Sequence, residues 1–442
     1  MKFIKTKNYY NSKNRHLIIK RLDNRQFFIA ALGAAVLLRL LLMPFFAHVD
    51  LYSEYRRVFY VLQNGLFLEN SYRYVTFNIE LIFAAFSQIF INVTDGLFHL
   101  SDPANSTASL TDYHFFLNDP NVYRHLFFFK LPYLIFDIAT AVVIWKFIDK
   151  PEHKRIALLL WLFNPVTIFA TYIFGRFEVF GLFFLAMTAL QLKNDRLLFA
   201  SVMFGLALLC REINLLFAPF LLLSQIDFKD HYLRNGIMLG ISSIIITLIY
   251  LLPNNVLSAL GGNPNLFSGP DAAQQTEPIK KLLSLGYYWF YPVVVCLATL
   301  AIYTWETGKR SHAERFVIAS SITLFIYFAF NSHSVHYSAW LVLFPILSIQ
   351  YGRRVVLPFL LFFGAWLALW LLKTDGGVFT AFLAAPLSSE FVGMGHFPTF
   401  FMAHIASEDL SLHQAIQLTK SLFAVVMGFF AYRLIAHRAR SQ

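Results

Sequence analysis

The feature that most constrains this chain is a succession of apolar runs, most of them roughly 15–22 residues long, separated by short charged turns. A helix crossing the ~30 Å hydrocarbon layer needs about 20 such residues, and it must satisfy every backbone polar group internally. Scanning on that basis gives about twelve candidate spans. They lie near 27–46, 126–147, 156–174, 177–192, 196–210, 212–226, 236–252, 286–305, 316–331, 335–350, 354–372 and 418–436. The stretch 196–226 has to make two crossings of ~15 residues each, so its connecting turn is expected to sit below the membrane surface. The chain is 57% hydrophobic and 14% charged, against about 45–50% and about 25% for a soluble domain. The expected fold is therefore an all-α polytopic membrane protein. No internal repeat or low-complexity segment divides it, so it reads as a basic arm over 1–26 and a single membrane domain over 27–442.

Charge orients the bundle. The arm carries Lys2, Lys5, Lys7, Lys13, Arg15, Lys20, Arg21 and Arg25, and no small-residue cleavage site follows it. We read the 27–47 run as a retained first span with the arm in the cytoplasm, touching anionic lipid rather than nucleic acid. Every second connection then lies inside. Those connections carry Lys150, Lys154 and Arg155, then Lys193 and Arg196, then Lys229 and Arg234. Lys309, Arg310, Arg315, Arg353 and Arg354 follow, and Arg433, Arg438 and Arg440 lie in the tail. Roughly two thirds of all lysines and arginines fall on this side, as the positive-inside rule requires. Both termini are thus expected in the cytoplasm of a multi-pass plasma-membrane protein. The long segments 48–122, 253–285 and 374–416 are expected outside. Within the first, polar Glu80, Ser87, Gln88 and Asn92 recur at helical spacing in the apolar stretch 77–93, the pattern of an interfacial helix. The two cysteines, Cys210 and Cys296, lie in apolar runs and indicate no disulfide framework.

Charged residues at the edge of a bilayer are expensive and need a partner or a purpose. Four groups stand out, all at external helix ends. The first is the stretch from His48 to Arg57, where Asp50, Glu54 and Arg57 share one face if the segment is helical. A carboxylate there can take a proton from an attacking hydroxyl, and the arginines can hold an anion such as phosphate. The second is Gly175-Arg176-Phe177-Glu178 in a tight turn, and the third is Arg211-Glu212-Ile213-Asn214. The fourth runs from Asn331 to Tyr337 and holds His333 and His336. A zinc site is a weak reading of that histidine spacing, for no third ligand is apparent, and anion or hydroxyl contacts suit it better. Each group has a plainer explanation, such as a solvated helix with a Glu54–Arg57 pair, turn-stabilising ion pairs or a tyrosine–histidine cap. Lys130 and Asp137 lie about two turns apart on one helix and are each expected to pair inside the bundle. Together the groups would form a pocket with carboxylates, cations and apolar walls, suited to a lipid with a phosphate headgroup.

The order of these residues resembles the GT-C superfamily of integral membrane glycosyltransferases, above all members that use a polyprenyl-phosphate-linked hexose. The resembling stretch covers about 48–345. It begins with Asp50 after the first helix and Gly65 at the end of the loop helix. Lys130-Leu131-Pro132 leads to Asp137, and Asn164-Pro165 precedes Gly175-Arg176-Phe177-Glu178, where relatives commonly read Gly-Gln-Phe-Asp. Arg211 then stands before Pro219, and His336-Tyr337 with Trp340 before Pro345. The first loop lacks the paired Asp-x-Asp of some relatives and has Asp50 with Glu54 a turn later. The resemblance implies an inverting transfer of a mannose-like hexose from polyprenyl phosphate to an external hydroxyl on a lipid- or protein-linked glycan. Asp50 would be the base, assisted by Glu54. Arg57, Arg211, His333 and His336 would neutralise the departing phosphate, and Lys130, Arg176, Glu178 and Tyr337 would line the substrate pocket. No cofactor is implied, although a divalent cation at Asp50 and Glu54 is compatible with the pattern.

Two other readings compete. A lipid-linked glycan ligase or polymerase would concentrate basic residues in a late external loop, but 374–416 has no lysine or arginine. A transporter or flippase would show internal symmetry and charges near the bilayer midplane, and no such symmetry is visible.

Overall fold

The computed structural model describes residues 24–64, 74–90, 110–224, 311–330, 334–352, 354–372, 383–388, 390–391, 397–406 and 411–436, with two isolated positions at 241 and 244. Nearly all of the expected spans 236–252 and 286–305 lies outside the described residues, as do the segment 253–285 and His333. Every regular element among the described residues is helical. Four stretches are long and apolar enough to cross a membrane: Arg25–Leu42, Val122–Phe147, Pro151–Phe174 and Leu412–Leu434. Shorter apolar helices lie at Val75–Ser87, Leu197–Cys210 and Val356–Leu372.

In chain order, α1 (Asn24–Leu42) is followed by α2 (Val49–Asn64), α3 (Tyr74–Ser87) and α4 (Leu110–Leu117). Helix α5 (Val122–Phe147) leads to α6 (Pro151–Leu162), which begins on a proline, where the missing N–H costs nothing. Asn164 stops α6 and starts α7 (Pro165–Ile168), its Oδ1 accepting from the Val166 and Thr167 amides. A π-helical turn, Phe169–Phe174, continues to Gly175. Then come α8 (Glu178–Lys193), α9 (Leu197–Cys210), a 3₁₀ turn (Glu212–Phe217) and α10 (Ala218–Ser224). The chain goes on through α11 (His312–Phe330), a 3₁₀ turn (Val335–Leu341), α12 (Leu343–Leu347) and a further 3₁₀ turn (Ser348–Tyr351). It closes with α13 (Val356–Leu372), α14 (Phe397–His404) and α15 (Leu412–Ala436).

Three expected elements take a different form, the first being the run 212–226, which is a 3₁₀ turn followed by a seven-residue helix. The run 335–350 is three short pieces rather than one span, because Pro345 has no N–H to give to the carbonyl four residues back. Broken backbone of this kind is tolerated at membrane depth only when protein encloses it. The segment is buried almost throughout, from Val335 to Ile349. Helix α3 also departs from a simple interfacial helix. Glu80 and Ser87 are buried, while Ile82, Phe86, Ile89 and Phe90 are exposed. Its polar side faces the protein because the Tyr133 hydroxyl donates to Glu80 Oε1 at 2.8 Å.

Exposed apolar side chains line the outer faces of three long helices: Ile29, Leu37 and Leu41 on α1, Leu357 and Leu360 on α13, and Leu418, Leu422 and Val425 on α15. On a water-facing protein such stripes would be sticky patches; against lipid they are the expected surface. The interior carries a buried ionic layer. Arg39 Nε on α1 meets Asp137 Oδ2 on α5 at 2.6 Å. The Tyr172 hydroxyl donates to the same oxygen at 2.8 Å, and Trp161 Nε1 donates to Oδ1 at 2.8 Å. Arg39 Nη1 also donates to the Leu162 carbonyl at 2.9 Å. One cluster thereby joins α1, α5, α6 and the π turn.

Removing one partner of a buried pair strands the other charge at a cost of about 3–5 kcal/mol, whereas apolar replacement of both is often near neutral. Asp137→Ala is expected to destabilise the protein by that amount in thermal or denaturant unfolding of the detergent-solubilised chain. The double variant Arg39→Met/Asp137→Leu should recover most of the loss.

Candidate functional site

Four segments far apart in sequence meet at one end of the bundle. Backbone contacts hold the entry to α2: the Ala47 amide donates to the Leu383 carbonyl at 3.0 Å and the His48 amide to Phe174 at 3.1 Å. The His48 ring stacks on Phe174, with centroids 4.0 Å apart. Tyr113 on α4 donates to the Ala47 carbonyl at 3.1 Å. These contacts bring the first turn of α2 against the turn that ends the π segment.

That turn needs glycine. Gly175 has φ +87°, a region unfavourable to residues with a Cβ, and an added Cβ would lie 2.9 Å from Leu51 Cδ2. The reversal sends Arg176 back across the face of α2. Its Nη1 lies 3.0 Å from Asp50 Oδ2 and 3.9 Å from Glu54 Oε1. Its Nε lies 3.9 Å from Glu178 Oε1 at the start of α8. Arg176 is 5% exposed and Glu178 only 1%, so these charges interact largely away from water.

The remaining groups close the cluster. Arg57 Nη1 reaches Glu54 Oε2 at 3.4 Å, one turn along α2. Arg211, in extended backbone after α9, lies 3.7 Å from Glu178 Oε1 and donates to the Tyr337 hydroxyl at 2.7 Å. The Arg176 and Arg211 guanidinium carbons both lie against the Phe177 ring, 4.8 and 5.3 Å from its centroid. Such contacts favour cations that have lost water. Trp340 Nε1 donates to Glu178 Oε2 at 3.1 Å. The His336 ring lies between Phe174 and Tyr337, with centroids 4.3 and 4.1 Å away, and its Nδ1 is 3.0 Å from the Ser334 hydroxyl.

Of the residues singled out in the sequence, Asp50, Glu54, Arg57, Arg176, Glu178, Arg211, His336 and Tyr337 come together. Lys130 does not join them. It is fully buried and donates to the Met43 carbonyl at 2.9 Å, the Tyr172 carbonyl at 2.8 Å and the Phe46 carbonyl. Its ammonium serves the backbone after α1, so Lys130 belongs to the frame beneath the pocket. Neither Lys130 nor Asp137 pairs with the other; Asp137 is held by Arg39. The site also contains His48, whose Nδ1 lies 3.1 Å from the Asp50 amide and 3.4 Å from Asp50 Oδ1. One nitrogen serves only one of these at a time: unprotonated it accepts from the amide, protonated it faces the carboxylate. Trp340 and His48 both stand in the resembling stretches, and that position was the available signal for them.

Burial raises the Asp50 carboxyl, but the contact with His48 and the Arg176 guanidinium outweigh it and hold Asp50 well below the usual carboxylate range. Asp50 is thus an anion at neutral pH. Its side chain is nonetheless 39% exposed, so it is reachable from outside the cluster. A hydroxyl brought to its open side finds an acceptor beside the Arg176 guanidinium.

Gly175→Ala combines left-handed strain of about 1–2 kcal/mol with the Leu51 clash. Thermal unfolding should show a loss of at least that size. Leu51→Ala alone should cost about 2–5 kcal/mol for its cavity. The double variant should lose less than the sum of the two, because the Cδ2 contact at 2.9 Å is gone.

Compared with protein-family models and with curated protein sequences, the chain matches none.

Proposed function

We propose that this protein is an inverting glycosyltransferase that moves a hexose, mannose-like in class, from a polyprenyl-phosphate donor to an acceptor hydroxyl at the external face of the membrane. In this reading the bundle has about twelve spans, both termini are cytoplasmic, and the long loops are external. The observation that carries it is the chain Asp50–Arg176–Glu178–Arg211–Tyr337, each link within 4 Å. It puts a reachable carboxylate and several guanidinium groups at one point beside apolar walls. That combination suits an acceptor alcohol on one side and a lipid phosphate on the other.

The chemistry follows from the groups. The acceptor oxygen attacks the anomeric carbon while its proton passes to an Asp50 oxygen. The bond from that carbon to the phosphate oxygen breaks, and polyprenyl phosphate leaves with the electron pair. Arg57 and Arg211 would neutralise the growing charge, with His336, and His333 by the family resemblance, as further candidates. Charge stabilisation on the leaving group is where such a site gains most of its rate. The 3.4 and 3.7 Å separations of Arg57 and Arg211 from their carboxylates are longer than good charge-assisted hydrogen bonds. On exchange of those partners for phosphate oxygens, Glu54 and Glu178 would keep Arg176 as their cationic partner.

The test is sugar transfer in membrane vesicles supplied with labelled polyprenyl-phosphate hexoses and candidate glycan acceptors. Wild type should transfer, and Asp50→Asn at matched expression should lose at least about 10²-fold, the lower range for a general base. Equal transfer by both proteins would remove Asp50 from the reaction. Absence of transfer from every donor, with an acceptor verified by another enzyme, would overturn the reading.

A pH profile tests the electrostatics separately. A depressed carboxylate contributes its ion-pair stability fully above its ordinary value, ~3.9, and loses it as pH falls through the lower folded value. Arg176→Gln removes the guanidinium that holds Asp50 down. The acid limb of kcat/KM should therefore move to higher pH in that variant, while an unchanged limb would assign it to another group.

A further inference from the structure

Asp50, Glu54 and Glu178 form the one constellation at the site in which a divalent cation would be sought, since hard metal ions collect carboxylate oxygens at about 2.0–2.6 Å. Each of their six oxygens already faces a protein group. Asp50 Oδ1 faces His48 at 3.4 Å and Oδ2 faces Arg176 at 3.0 Å. Glu54 Oε1 faces Arg176 at 3.9 Å and Oε2 faces Arg57 at 3.4 Å. Glu178 Oε1 faces Arg176 and Arg211 at 3.9 and 3.7 Å, and Oε2 accepts from Trp340 at 3.1 Å. Arg176 is the group common to all three carboxylates, its Nη1 facing Asp50 and Glu54 and its Nε facing Glu178. The formal charges of Asp50, Glu54 and Glu178 are balanced by Arg57, Arg176 and Arg211. A divalent cation added to this set would meet a fixed guanidinium at contact distance.

We infer that Arg176 is the built-in cation of this site, standing where a divalent metal ion would otherwise bridge Asp50, Glu54 and Glu178, and that a neutral residue at 176 turns the cluster into a divalent-cation site. The residues present do not fit a metal at Asp50 and Glu54 while Arg176 is in place. Without it, three carboxylates face two arginines, and two of the three, Glu54 and Glu178, are buried. Such a charge is costly unless something compensates it. A hard cation supplies that compensation, and the His48 ring beside Asp50 suits Mn2+ among the hard ions. The inference concerns charge occupancy alone and does not rest on the proposed reaction.

The experiment is a Mn2+ titration of the purified detergent-solubilised chain, read by electron paramagnetic resonance of the free ion and by thermal unfolding. Wild type should show no Mn2+ binding that depends on Asp50. Arg176→Gln should bind Mn2+ and gain roughly a few degrees in unfolding temperature at saturation, since a ligand of the folded state stabilises by mass action. Arg176→Gln/Asp50→Asn should lose that gain, and Arg176→Lys, which keeps the charge, should behave as wild type. Mn2+ binding by wild type that Asp50→Asn abolishes would overturn the inference. So would a folded Arg176→Gln protein that gains no binding. Should Arg176→Gln fail to accumulate, the wild-type comparison decides alone: Asp50-dependent binding overturns the assignment, and its absence supports it. No arm reads sugar transfer, so failure here and failure of the proposed reaction are separate results.

Discussion

The site depends on how the π turn Phe169–Phe174 is held. Tyr172 is the hinge of that arrangement, since its hydroxyl donates to Asp137 and its carbonyl accepts from Lys130. Arg39 completes the first contact from α1, and the Met43 and Phe46 carbonyls complete the second. A buried ammonium with three carbonyl acceptors meets its full hydrogen-bonding capacity, so Lys130 stitches the end of α1 to the π turn. Two residues on, the Phe174 carbonyl takes the His48 amide. Asp50 and Arg176 are thus set from opposite sides of one rigid junction. Low dielectric makes this strict: charges that cost too much to bury alone persist only where geometry pairs them.

Above that frame the arginines and carboxylates of the cluster lie at a range of separations. Arg176 to Asp50, at 3.0 Å, is the tight ion pair of the set, while the other carboxylate–arginine separations run from 3.4 to 3.9 Å. In the proposed reaction an anionic headgroup would be held by re-partnering these arginines. The planar guanidinium suits that exchange better than an ammonium would, because it presents several donors in fixed directions. The outer contacts to Phe177 and Tyr337 keep both cations oriented meanwhile.

Much of this was legible in the sequence, for physical reasons that differ from residue to residue. Apolar runs of spanning length mark α1, α5 and α15 directly, and the Asp50, Glu54, Arg57 spacing anticipates the helix α2 on which they fall. Arg176 and Arg211 stood out because charge at the end of an apolar run is expensive. Lys130 was harder to place, since its partners are backbone carbonyls and any residue can supply one. The 335–350 run hides its breaks because its residues are apolar on every side, and only Pro345 hints at them. Glu80 reads as part of an interfacial polar face because nothing near it in sequence offers a partner, and Tyr133 supplies one from a helix more than 50 positions away in the chain. The pairing of His48 with Asp50 depends on Phe174 as a stacking surface, which no local pattern encodes.

The central claim is that this cluster receives a lipid phosphate beside Asp50. A structure of the protein in lipid nanodiscs with a bound polyprenyl-phosphate hexose would test it most directly. The account predicts phosphate density within hydrogen-bonding reach of Arg211 or Arg57, with the anomeric carbon toward the open side of Asp50. Phosphate density elsewhere, with the Asp50–Arg176–Glu178–Arg211 cluster undisturbed, would contradict it.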